Sequence, residues 1–228
     1  MISRSAFELF RLRLAQLWRD PFLYLLSAGN IALVCLTTFS GPLPASDGGF
    51  AWRELSLAVE AMAAWAFALF LALDRAGRLL RGLPALPLAR DQAACWWTLA
   101  ETVTGIALLL PGILLLLLVL PGGPGAADLA LVALTTSKAA ALAAVGGGVR
   151  EVFHHRGGAI PAMIGLWILL FLPPLSWADP RTLLEQGGWN PASLAGAFLV
   201  WAGLWASVTA ARGLSAAAGQ PSGSPEAR

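Results

Sequence analysis

Apolar residues fall in six stretches along the chain, 22–40, 55–73, 99–120, 129–149, 159–178 and 194–211. The segments between them are rich either in Arg or in Gly, Pro, Asp and Asn. A helix rises about 1.5 Å per residue, so about 19 residues span roughly 28 Å, enough to cross the hydrocarbon core of a bilayer. The pattern predicts an all-α fold: a polytopic integral membrane protein of six transmembrane helices. It forms one domain over residues 1–218, and the small, polar residues 219–228 predict a disordered tail. Ahead of the first stretch, Phe7, Phe10, Leu14, Leu17 and Trp18 fall within a sector of about 100° on a helix. Glu8, Gln16, Arg19 and Asp20 lie away from that stripe, while Leu9 and Leu12 interrupt the pattern. Pro21 then breaks the chain. The arm 5–20 is therefore predicted to be an N-terminal interfacial helix lying along the inner leaflet.

Composition agrees with a membrane protein. Of 228 residues, 57% are hydrophobic and 12% charged, and mean hydropathy is +0.70. So few charges cannot cover the surface of a soluble domain of this size, and so much apolar chain does not remain disordered. Six spans leave no room for a soluble catalytic domain. Any ATP hydrolysis must come from a partner chain, and the chain itself reads as no enzyme. His-Glu-x-x-His, Gly-x-Ser-x-Gly and phosphate-loop motifs are absent from the sequence. Cys35 and Cys95 match no zinc or disulfide pattern and read as packing residues. The adjacent His154 and His155 would point about 100° apart on a helix, a poor arrangement for holding one metal. Nothing suggests nucleic acid as a partner.

Basic residues are unevenly shared between the loops. Arg4, Arg11, Arg13, Arg19, Arg75, Arg78, Arg81, Arg90, Arg150, Arg156, Arg212 and Arg228 lie on one side of the six-span arrangement, and Arg53 and Arg181 on the other. The positive-inside rule then puts both termini in the cytoplasm. Trp18, Trp96 and Trp97 mark inner boundaries, and Trp52, Trp177 and Trp189 outer ones, as amphipathic rings prefer.

Four stretches carry candidate function. In the loop 74–95, Arg75, Arg78 and Arg81 recur at helical spacing, beside an apolar edge of Leu79, Leu80, Leu83 and Leu86. Pro84 and Pro87 end this short helix. Its Arg75, Arg78, Leu79, Arg81 and Leu83 form a candidate docking element for a soluble partner, unless the loop is simply a solvated basic one. Arg150 and Arg156 flank a second cytoplasmic loop. Lys138 lies inside span four and Glu60 inside span two, where an ionised group costs at least ~2.5–3.5 kcal/mol without a partner. Their depths differ by roughly 6 Å at the helical rise, which a lysine stem covers, so the readings are a Glu60–Lys138 pair that locks two helices, a place in a substrate path, or a snorkelling Lys138. Glu101, near the inner end of span three, reads as interfacial. Span four is lined by small residues ending in Gly146-Gly147-Gly148, a face suited to close packing with a loosened end. The outer segment that follows Pro173-Pro174 is too broken to cross a bilayer, so it must lie in the interface or be shielded by protein.

An N-terminal amphipathic helix, six spans, and a loop after span two reading Asp-Arg-x-Gly then Leu-Pro-x-x-Leu-Pro-Leu resemble the permease subunits of type-two ABC exporters. Leu86-Pro87-Leu88 before span three, Arg156-Gly157-Gly158 opening span five, and the later run Leu169–Leu175 are most similar to the CcmB type, haem exporter protein B of cytochrome c maturation. Where that family carries an acidic Gly-x-Leu-Glu element, this chain has Gly77-Arg78-Leu79-Leu80. The resemblance implies a permease of the bacterial inner membrane whose 74–90 loop couples it to a separate ATP-binding subunit. It further implies a second copy of the chain and other cytochrome c maturation subunits as partners, besides membrane lipid. No cofactor is implied as bound by this chain, and haem is a candidate cargo of the complex. Two other readings fit the residues: an ABC permease exporting lipid, peptide or drug, and a non-transporting membrane scaffold.

Overall fold

The computed structural model describes residues 4–39, 62–74, 90–119, 125–153, 156–173, 175–185 and 190–218. These residues form eight helices: α1 (Arg4–Leu17), α2 (Pro21–Phe39), α3 (Met62–Leu73), α4 (Arg90–Val119), α5 (Ala126–Val152), α6 (Arg156–Leu169), α7 (Pro180–Glu185) and α8 (Pro191–Ala218). Three contain stretches long and apolar enough to cross a membrane, Gln92–Leu115, Asp128–Val152 and Pro191–Leu214. Three shorter apolar helices, Pro21–Leu36, Met62–Leu73 and Gly157–Leu169, accompany them. The chain is an all-α, multi-pass membrane protein. Helices suit that setting because each satisfies its own backbone hydrogen bonds.

Several helix ends have evident causes. Pro21 opens α2, where its missing N–H is no loss, and Asp20 caps the turn by accepting from the Phe22 N–H at 2.9 Å. α5 begins after Gly125, whose N–H donates to Asp128 Oδ2 at 2.9 Å. α4 begins at Arg90 and so takes in Trp96 and Trp97 well before the predicted span at 99. α6 stops at Leu169, short of the predicted 178, because a proline at 173 cannot donate to the Leu169 carbonyl and its ring crowds that group. Turns then lead through 175–178 to the short α7. As the broken segment predicts, this part does not continue as a span. Ala178 and Leu183 are buried with Leu134 and Ala141 of α5 and Ala197 and Trp201 of α8. The Trp201 indole donates to the Ala178 carbonyl at 2.8 Å, pinning the segment to α8.

α4 and α5 form the centre of the bundle. More than half of their apolar windows is buried, 56% and 61%, against 17% for α8, so α8 lines the outside. α3 serves two neighbours through two adjacent i, i+4 rows. Ala64, Ala68 and Ala72 pack with Leu142 and Val145 of α5, and Phe67 and Leu71 pack with Leu17 of α1, Leu23 of α2 and Leu108 of α4. The triple glycine of α5 permits this approach. A methyl group on Gly146 would fall against the backbone of Ala68, 2.8 Å from its carbonyl carbon. That stretch, read from the sequence as a loosened helix end, is instead regular helix in tight contact.

α1 docks on α4. Its buried face is Leu9, Arg13 and Leu17, spaced i, i+4, i+8, while Phe7 and Leu12 are exposed. The amphipathic helix is present, but its inward face is rotated from the predicted stripe and centres on an arginine.

Candidate functional site

Glu101 is fully buried in α4, with no exposed surface. Three guanidinium groups surround its carboxylate. Arg13 of α1 donates to Oε1 through Nη2 at 2.7 Å and Nε at 3.1 Å. Arg150 of α5 donates to the same oxygen at 3.3 Å. Arg212 of α8 donates to Oε2 at 2.7 Å and to Thr98 Oγ1 at 2.8 Å. Two further carboxylates complete the cluster. Asp74, just past α3, accepts from Arg13 at 2.8 Å and lies 3.8 Å from Arg150. Glu151 accepts from Arg150 at 3.3 Å and lies 3.8 Å from Arg212. The Arg13 guanidinium also stacks over the buried Trp97 ring, 5.1 Å from its centroid. Among the described residues three arginines thus meet three carboxylates, and these six charges balance.

Neutrality is what makes the burial tolerable. An isolated ion in this interior costs several kcal/mol, and the cost is offset only when charges and hydrogen bonds are both matched. Charge-assisted guanidinium–carboxylate hydrogen bonds are shorter and stronger than neutral ones. The cluster ties α1, the end of α3, α4, α5 and α8 together at one end of the bundle. Its chemistry is that of a clamp. Among the described residues no group of His, Cys, Asp and Glu could hold a metal ion.

A second, smaller charge site lies about halfway along α5. Lys138 is buried and donates to Asp179 Oδ2, and its ammonium sits 5.8 Å from the Trp201 ring centroid. The other Asp179 oxygen accepts from the Arg181 N–H at 3.0 Å, so one carboxylate caps α7 and holds the lysine.

The predicted site residues fare differently. Arg75, Arg78, Leu79, Arg81, Leu83 and Glu60 lie outside the described residues, as do His154 and His155. Lys138 is buried, as expected, and among the described residues it pairs with Asp179; Glu60, its expected partner, lies outside them. Arg150, predicted to flank a loop, is in the last turn of α5 and is buried in the cluster. Arg156 opens α6. Glu101, predicted as interfacial, is the centre of the cluster. Arg13, Arg212, Asp74 and Glu151 were not singled out by the sequence reading. The signal available for Arg13 was its place midway between Leu9 and Leu17, a charge at the centre of an apolar row. No protein-family model matches this chain, and no curated protein matches it either.

Proposed function

We propose that the chain is the permease subunit of an ABC exporter of the bacterial inner membrane, with six spans and both termini in the cytoplasm. A separate ATP-binding subunit drives it, and a second copy of the chain completes the translocating unit. Cytochrome c maturation, with haem as cargo, is the setting that the resemblance favours. One observation carries the reading: the ion cluster grips the 74–90 segment from both sides. Asp74 sits at its start, and Glu101 lies about three turns into the helix that follows. Both are bound to Arg13 of the N-terminal helix, and Glu101 also to α5 and α8. A push on that segment would reach three other helices, α1, α5 and α8, through charge-assisted bonds.

Two experiments test this. Replacing Arg78, Leu79 and Leu83 together with Ala should release the ATPase from a mildly solubilised complex while the permease stays folded and inserted. A few apolar anchors dominate the affinity of a small interface, and exposed arginines add roughly 0–1 kcal/mol each. Leu83→Ala should therefore weaken docking more than Arg75→Ala. If no ATPase accompanies the wild-type chain under mild purification, the exporter reading gives way to the scaffold. Reporter fusions at Asp47, Gly123 and Gly187 should read extracytoplasmic, and fusions at Gly82, Gly157 and Gly219 cytoplasmic. One inverted middle loop would reject the six-span arrangement.

A further inference from the structure

The two buried charge sites differ in how far their central charge is enclosed, although Arg150 Nε, Arg212 Nε and Arg212 Nη2 in the larger one have no hydrogen-bond partner among the described residues. Glu101 is enclosed by three arginines and has no exposed surface. Lys138 carries three N–H donors, and among the described residues Asp179 alone offers it an acceptor. The Asp179 side chain is 22% exposed, so the pair can be reached from that side. One turn before Lys138 on α5, the Thr135 hydroxyl is buried and has no hydrogen-bond partner. Residues three apart share a helix face, so this hydroxyl and the ammonium form a donor pair with capacity to spare. The turns leading to Asp179 carry Phe171, Leu172 and Trp177, all exposed apolar side chains. A positive group with unused donors inside the bundle, approached past an exposed apolar segment, fits a molecule with an anionic head and an apolar body.

We propose that Lys138 and Thr135, beneath the Trp201 ring, bind the carboxylate or phosphate head of an amphiphile, and that Asp179 is a built-in competitor which leaves Lys138 when the amphiphile enters. The proposal rests on the export reading and names the chemical class of its substrate. Release of Asp179 would also free the carboxylate that caps α7, coupling occupancy to the segment that closes this part of the bundle.

The test is equilibrium binding to the full chain, purified without its ATPase and held in phosphatidylcholine nanodiscs. The probes are radiolabelled oleate, dioleoyl phosphatidate, oleyl alcohol and inorganic phosphate. Oleate, phosphatidate or both should bind saturably. Oleate alone identifies a free carboxylate as the ligand, and phosphatidate alone a bilayer lipid. Oleyl alcohol lacks the charge and phosphate lacks the apolar body, so neither should compete. Asp179→Asn, which keeps a capping side chain, should tighten binding about tenfold, the factor expected if Lys138 is free roughly a tenth of the time. Lys138→Met should abolish binding. The double variant Lys138→Met/Asp179→Asn has no unpaired charge and separates lost binding from lost folding. Lys138→Arg should retain binding. If Asp179→Asn binds no tighter than wild type, or the folded double variant binds as well, the site is structural and the proposal fails. Because the ATPase is absent, a chain that recruits no ATPase can still pass this test, and one that recruits it normally can still fail.

Discussion

Glu101→Gln is expected to destabilise the chain by about 3–5 kcal/mol, the usual result of leaving buried charges uncompensated. The substitution preserves shape and an acceptor oxygen. Among the described residues it leaves Arg13, Arg150 and Arg212 facing the carboxylates of Asp74 and Glu151. Reversible unfolding of the purified chain in detergent measures the loss. Adding Arg212→Met to Glu101→Gln restores neutrality, so the double variant should recover part of it. A Glu101→Gln variant within about 1 kcal/mol of wild type would mean that water or rearrangement satisfies the arginines, and the clamp would lose its mechanical meaning. Such a small effect would also mean that the Arg13–Glu101 bonds add little to the docking of α1.

Gly146→Ala should cost about 1–3 kcal/mol, the range for overpacking a filled interior. In an open helix the same change stabilises by up to about 1 kcal/mol, because Ala is the better helix former. The sign reverses here because the added methyl meets the Ala68 backbone rather than a side chain that could turn away. α3 would have to move off α5, disturbing the row that also buries Ala64 and Ala72. Gly165→Ala in α6 is the internal control. Nothing lies within 4 Å of the methyl it would add, so it should be neutral or mildly stabilising. Equal effects at the two glycines would reject close backbone approach as the reason for Gly146.

The fold class was legible because burial in lipid demands long apolar runs, and five of the six runs are helical over all their described residues, while 159–178 is helical only to Leu169. Helix ends were less legible. Hydropathy reports the part of a helix suited to hydrocarbon, whereas α4 and α8 continue past it with polar turns. The cluster was missed for a related reason. Counting Arg13, Arg150 and Arg212 as loop or tail residues gave a consistent charge bias, but each lies within a helix and faces inward. Their common partner, Glu101, is 88 residues from Arg13 and 111 from Arg212, and no local spacing announces a contact over that distance. Lys138 was legible as a buried charge because any ionised residue in mid-span is conspicuous. Its contact with Asp179 was not, because Asp179 lies where the chain folds back into the bundle, 41 residues away.

The order in which the clamp's members are synthesised makes its completion a late event. Arg13 emerges from the ribosome 88 residues before Glu101, and Glu101 emerges 111 residues before Arg212. At about 5–20 residues per second, each wait lasts roughly 5–20 s. Through the second wait, Glu101 has at most two of its three arginines, and Glu151 still lacks Arg212. Only the last helix closes the set. A nascent chain cut short before α8 therefore leaves a charged, unfinished bundle, while one that includes α8 ties α1 to α8 through Glu101.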